Sequence, residues 1–144
     1  MGPLLYLSCL ILWKYFFLKK IKPTFIPAIV WLFISTILLT IPGSAFPKEN
    51  WLSKIWFDKW VHIGMFALMV FLWCWAIHNK QTVQLKLSNT FLWIGIFCLL
   101  YGVVMEFVQE YVVINRSFDV GDIIADAAGC LIGVVYSLKR YKKN

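Results

Sequence analysis

The chain reads as an all-α protein, a polytopic bundle of transmembrane helices with four core spans and an N-terminal apolar helix that is a candidate fifth. Three observations predict this. Hydrophobic residues make up 61% of 144 residues and charged residues only 15%, against about 25% charged in soluble domains. A soluble domain of this size could not hide that much apolar surface. Four apolar stretches, about 25–41, 60–77, 90–108 and 120–138, approach the ~20 residues that a hydrocarbon core requires. No alternating polar pattern suggests a barrel, and a helix satisfies its own backbone in lipid.

The elements follow in order. Pro3 to Leu18 is apolar but carries Lys14. Snorkelling of Lys14 would make it a short span, and without that it would lie along the membrane surface. It lacks the basic leader and small-residue cleavage pattern of a secretory signal. We divide the chain into this N-terminal helix, 1–22, and a transmembrane domain, 23–144. Pro42, Gly43 and Pro47 break the chain after the first core span. The loops set orientation. Lys19, Lys20, Lys22, Lys80, Lys86, Lys139, Arg140, Lys142 and Lys143 collect on one side, and Lys48, Lys54, Lys59 and Arg116 on the other. The positive-inside rule then places the C-terminus in the cytoplasm and the loops 42–59 and 109–119 outside. Trp51, Trp56, Phe57 and Trp60 suit an aromatic belt on the outer face.

The net charge of +7 does not indicate nucleic acid, because the basic residues flank apolar runs and serve as topology signals. Cys9, Cys74, Cys98 and Cys130 stand singly, without metal spacing. No cofactor is expected.

Function concentrates in the few acids. Asp58, Lys59 and His62 open the second core helix at its outer end. Glu106, Gln109 and Glu110 close the third there, and Asp119, Asp122 and Asp126 open the fourth. Asp58 and His62 are four apart and so neighbours on a helix; the other two sets each form a stripe. Facing a shared interior, the stripes would line a polar pocket open to the outside. Gly121, Ala125, Gly129 and Gly133 repeat every four residues and would let a neighbouring helix approach closely. The acids outnumber their cations, so some must be protonated, bind a cation or face water; Arg116 is the natural counter-ion. Simpler roles compete. Asp119 and Asp58 suit helix caps, Asp122 a helix first turn, Lys59 a topology charge, His62 a packed hydrogen bond and Glu110 a solvated loop. Capping cannot explain Glu106 or Asp126, which lie inside helices. His78 is read as interfacial, at the cytoplasmic end.

DKWVHIGMF, then ExxQE, then RSFDVGDIIADAAG followed by GxxxG, resembles the VanZ-like family of bacterial membrane proteins, over about residues 24–138. The family pattern carries over to Asp58, Lys59, His62, Glu106, Gln109, Arg116, Asp119, Asp122 and Gly129. Where this chain has Asp126 the family usually has Asn. The resemblance implies a multi-pass protein of the bacterial cytoplasmic membrane, in a family whose founding member is linked to teicoplanin resistance. Three functions compete: an envelope protein that binds a lipid headgroup, a lipid-linked cell-wall precursor or a glycopeptide; an intramembrane enzyme with His62 and Glu106 as acid/base groups and Asp122 with Asp126 on a divalent cation; and a small ion-coupled transporter.

Overall fold

A computed structural model describes residues 23–42, 56–80 and 87–141. The N-terminal helix, Trp51, Cys9 and the lysines at 48, 54, 86, 142 and 143 lie outside the described residues, as does the expected fifth span. Among the described residues the regular structure is helical: a 3₁₀ turn Pro23–Phe25, then α1 Ile26–Leu39, α2 Phe57–Lys80, α3 Leu87–Val112 and α4 Val120–Tyr141. Three of these, α2, α3 and α4, are long and apolar enough to cross a membrane, whereas α1 with its 3₁₀ turn is shorter. Large apolar side chains stand well exposed on every helix, among them Phe33 (65%), Trp60 (65%), Phe97 (66%) and Leu131 (64%). Water would not tolerate so much; lipid does.

The helices outrun the apolar windows that predict them. α3 continues to Val112 and so carries Gln109 and Glu110. Hydropathy marks where hydrocarbon would end, but the backbone stays helical until a local signal stops it. Here that signal is Asn115, at φ 59°, a conformation that asparagine tolerates better than most residues. α1 starts with Pro27 in its first turn, where a missing N–H costs nothing. It ends at Leu39, ahead of Pro42, which disfavours helix in the residue before it.

The tightest packing joins α2 to α4, two helices that start at the same end of the bundle. The small-residue ridge makes it. A Cβ at Gly133 would lie 2.7 Å from the Ala67 carbonyl oxygen and 2.8 Å from Val70 Cβ, and one at Gly129 would collide with the Ile63 carbonyl oxygen. Gly121 is in the same register, with Lys59 Cε 3.0 Å from its Cβ position, and Ala125 is buried between them. α3 closes on this pair through Gly95 against Val134 and Gly102 against Phe66 and Asp126.

α1 is tied to the others by hydrogen bonds. Trp31 Nε1–H donates to the Met65 carbonyl (3.0 Å), Thr36 and Tyr101 share a hydroxyl contact (2.9 Å), and Gln109 Nε2–H donates to the Leu39 carbonyl (2.8 Å). In an apolar surrounding such bonds are rarely left unmade. The core below is apolar: Phe66, Met69, Val70, Cys74, Phe91, Cys98, Cys130 and Val134. The three described cysteines are buried and free.

Candidate functional site

The polar residues of α2, α3 and α4 meet at one end of the bundle. Because α2 and α4 start there and α3 ends there, their polar stripes lie at similar depth, and the glycine ridge brings two of them into contact. His62, Glu106, Gln109, Asp122 and Asp126 are all buried.

Lys59 forms the outer layer. Its Nζ pairs with Asp119 Oδ2, with Asp122 Oδ1 at 2.5 Å and with Asp58 Oδ2 at 3.3 Å. An ammonium has three donors, and here three carboxylates meet them. Lys59, for which sequence left a topology charge and a binding role both open, is the cation at the centre of the outer acids. Arg116, the expected counter-ion, is half-buried in the loop after α3, and it is Lys59 that pairs with Asp58, Asp119 and Asp122. Lys59 holds the Asp119 carboxyl below its ordinary range. Asp119 also caps α4 as predicted: its Oδ1 accepts the Gly121 N–H at 2.7 Å. Asp58 is not a cap. Trp56, at φ 55°, holds the cap position and its carbonyl accepts the Lys59 N–H at 3.0 Å. Asp58 lies within the first turn, mostly exposed.

The inner layer centres on His62. It turns from its helical neighbour Asp58 to the acids of α4, with Nδ1 2.8 Å from Asp126 Oδ1 and Nε2 3.9 Å from Asp122 Oδ2. Its ring stacks on Phe66 (centroids 6.5 Å, 10°), and Phe66 packs on Tyr101 (6.0 Å). Gly102 makes room for Asp126: a Cβ there would stand 2.5 Å from Asp126 Oδ2.

Glu106 and Glu110 clamp the loop between α3 and α4. Glu106 Oε2 accepts the Asp119 N–H at 3.0 Å, and Glu110 Oε2 accepts the Phe118 N–H at 2.6 Å. Glu110, expected in a solvated loop, stays helical and does structural work from an exposed position. Its spacing of four from Glu106 was the available signal. Gln109 reaches α1 instead of the acids.

The predicted residues thus converge, but into a packed network. A distinct apolar cavity of about 310 Å³ lies between α1, α2 and α3, lined by Leu32, Met69, Trp73, Ile94, Phe97 and Tyr101. Tyr101 belongs to both, since its ring touches Phe66 beneath His62. Two sets of side chains have donor atoms close enough for a metal ion, all within 4.8 Å of one another: His62, Glu106 and Asp122, and Asp58, Asp119 and Asp122. Lys59 already fills the second. Asp126, paired with Asp122 in the sequence reading, is instead engaged by the far side of the imidazole.

The profile of the VanZ/LLP1 family matches residues 4–140. The chain belongs to the VanZ/LLP1 family. The match takes in the N-terminal stretch that the motif resemblance left out. This VanZ/LLP1 chain is also 32% identical, over 131 residues, to the uncharacterized protein C11E3.10 of Schizosaccharomyces pombe, covering 87% of the chain and 69% of that protein. No solved structure matches it.

Proposed function

We propose that this VanZ/LLP1 protein binds the headgroup of a lipid or lipid-linked envelope component at the outer face of its membrane, without turning it over. The observation that carries the reading is the meeting of five carboxylates, one lysine and one buried histidine from three helices at a single end of the bundle. Charged groups at the rim of a bilayer are costly and kept for a partner or a task. The surplus is negative and Lys59 is occupied by acids, so the ligand group recognised directly is cationic, an amine for example. The apolar cavity, set apart from His62 by Phe66 and Tyr101, suits an acyl chain.

In a bacterial cytoplasmic membrane with a cytoplasmic C-terminus, as the loop charges favour, the site would face the leaflet where cell-wall precursors and glycopeptides act. Teicoplanin tolerance is the form this would take in a susceptible host. The yeast relative favours chemistry common to both kinds of membrane, a phospholipid headgroup before a glycopeptide.

Two measurements test this. Native mass spectrometry of the purified protein should find co-purifying amine-headgroup lipid, lost in Glu106→Gln. Expression in a susceptible bacterium should shift teicoplanin tolerance before vancomycin tolerance. Protein in the membrane with neither effect would sink the reading.

A second reading, an intramembrane enzyme on a lipid-linked substrate, draws on the buried His62–Asp126 pair, the arrangement by which an acid orients a general base. Turnover of envelope lipids by the purified protein would favour it. A transporter gains little, because among the described residues the buried side chains beneath the site are apolar apart from Ser35 and Ser137.

A further inference from the structure

We propose that His62 Nε2, Glu106 and Asp122 bind one divalent transition-metal cation, with Asp126 holding the imidazole from behind. Each ligand comes from a different helix, α2, α3 and α4, and each is more than nine-tenths buried. One donor atom from each lies within 4.8 Å of the others.

Proximity of acids alone would not carry this. The independent observation is the imidazole. Its Nδ1 is taken by Asp126 at 2.8 Å. Its Nε2 faces the Asp122 carboxylate, with Oδ2 3.9 Å away. With Nδ1 directed at Asp126, Nε2 is the ring atom placed to coordinate a metal. It and the Asp122 oxygen stand too far apart for a hydrogen bond, with room for an ion between them. Glu106 completes the third side. Its Oε2 holds the loop through the Asp119 N–H, which fixes the carboxylate and leaves its other oxygen available. A carboxylate behind a metal-binding histidine is the usual outer support of such sites. Gly102 supplies the space for it, since a Cβ there would stand 2.5 Å from Asp126 Oδ2.

Charge points the same way. Lys59 brings one positive charge to three outer acids, and His62 is the group that meets Asp126 and the inner oxygen of Asp122. A divalent ion balances them. One nitrogen and carboxylate oxygens suit Zn²⁺ and its first-row neighbours better than Mg²⁺ or Ca²⁺, which prefer oxygen alone. Zinc bonds of about 2.0–2.2 Å in a tetrahedron put donors roughly 3.4 Å apart. The site therefore needs only small side-chain rotations to close. Three protein ligands leave a fourth position, where a phosphate or hydroxyl of a headgroup could bind.

The inference concerns the site proposed above for headgroups and adds the ion to it, but its test reads the metal alone. Tag-free full-length protein in nanodiscs is stripped with chelator and dialysed separately against Zn²⁺, Mn²⁺ and Mg²⁺, and bound metal is counted. We expect one Zn²⁺ per chain, held at least tenfold more tightly than Mg²⁺. His62→Ala and Glu106→Gln should lose it. Asp126→Asn should keep the stoichiometry with affinity about 10–100-fold weaker. His78→Gln, which removes the chain's other histidine, should bind as before. X-ray absorption of the zinc-loaded parent, which needs no variant to fold, should show nitrogen and oxygen ligands with one imidazole. Folded parent that holds no zinc, zinc retained by His62→Ala, or a sulfur ligand would overturn the proposal. Zinc without headgroup binding would refute only the functional reading, and headgroup binding without zinc only this one.

Discussion

Replacing Gly129 with alanine puts a methyl where α2 and α4 touch. The new carbon would collide with the Ile63 carbonyl oxygen and lie 3.0 Å from Phe66 Cβ and 3.1 Å from the Ile63 carbonyl carbon. Carbon atoms pack best at about 3.5–4.0 Å, so α4 must retreat by roughly 0.5–1 Å. Backbone cannot rotate out of the way as a side-chain tip can. Overpacking of this kind costs about 1–3 kcal/mol, and the better helix propensity of alanine returns at most about 1 kcal/mol. With the full return, a net loss of up to about 2 kcal/mol follows, and because Gly64→Ala gains the same propensity, the gap between the two variants is about 1–3 kcal/mol. The same retreat stretches the 2.8 Å contact between His62 and Asp126, so the site should loosen with the interface. Gly64→Ala is the internal control, because a Cβ there meets nothing within 4 Å. Unfolding of both variants in mixed detergent, followed by tryptophan fluorescence, gives the comparison. Gly129→Ala as stable as Gly64→Ala would refute the close approach of the two helices.

Further outcomes follow from the same contacts. Glu106→Gln keeps an oxygen that can accept the Asp119 N–H, so the protein should insert and stay within about 1 kcal/mol of the parent, yet lose ligand retention in native mass spectrometry. Gln109→Leu strips the partner from the Leu39 carbonyl and should cost about 1–3 kcal/mol, read as earlier unfolding in the same detergent titration. Asp119 is held below its ordinary pKa by Lys59. Its folded value is the lower one, so its contribution to stability is present at neutral pH and is lost as pH falls below about 4. Melts of the parent and of Asp119→Asn should differ at pH 7 and draw together as pH falls below the ordinary carboxylate range.

The helical class was legible because membrane helices announce themselves by apolar length, although three described helices, not four, are long enough to cross; alternation across the bilayer predicts which ends meet. That arithmetic brought His62, Glu106 and Asp126 together before any coordinates. Partners within the cluster were less legible. Sequence spacing pairs Asp58 with His62, but the imidazole is turned inward by packing on Phe66, a choice between faces that spacing four apart cannot make. Arginine was favoured over Lys59 as counter-ion on donor geometry, yet Lys59 starts α2 directly opposite Gly121, where the absence of a Cβ lets its stem pass. Glu110 and Gln109 were misjudged because their partners are backbone groups, the Phe118 N–H and the Leu39 carbonyl, which carry no residue signature. α1 shows the same blindness, since its ties run through Trp31, Thr36 and Tyr101, which no motif or spacing singles out.

The most direct test of the central claim uses Lys59→Cys with Asp119→Cys in a chain whose native cysteines are replaced. A short, membrane-impermeant crosslinker with two thiol-reactive ends is applied to intact cells. If α2 and α4 present these side chains together at the outer face, the two cysteines become linked within one chain without permeabilisation. Separate labelling without a link, or linkage only after the cells are opened, would contradict the account.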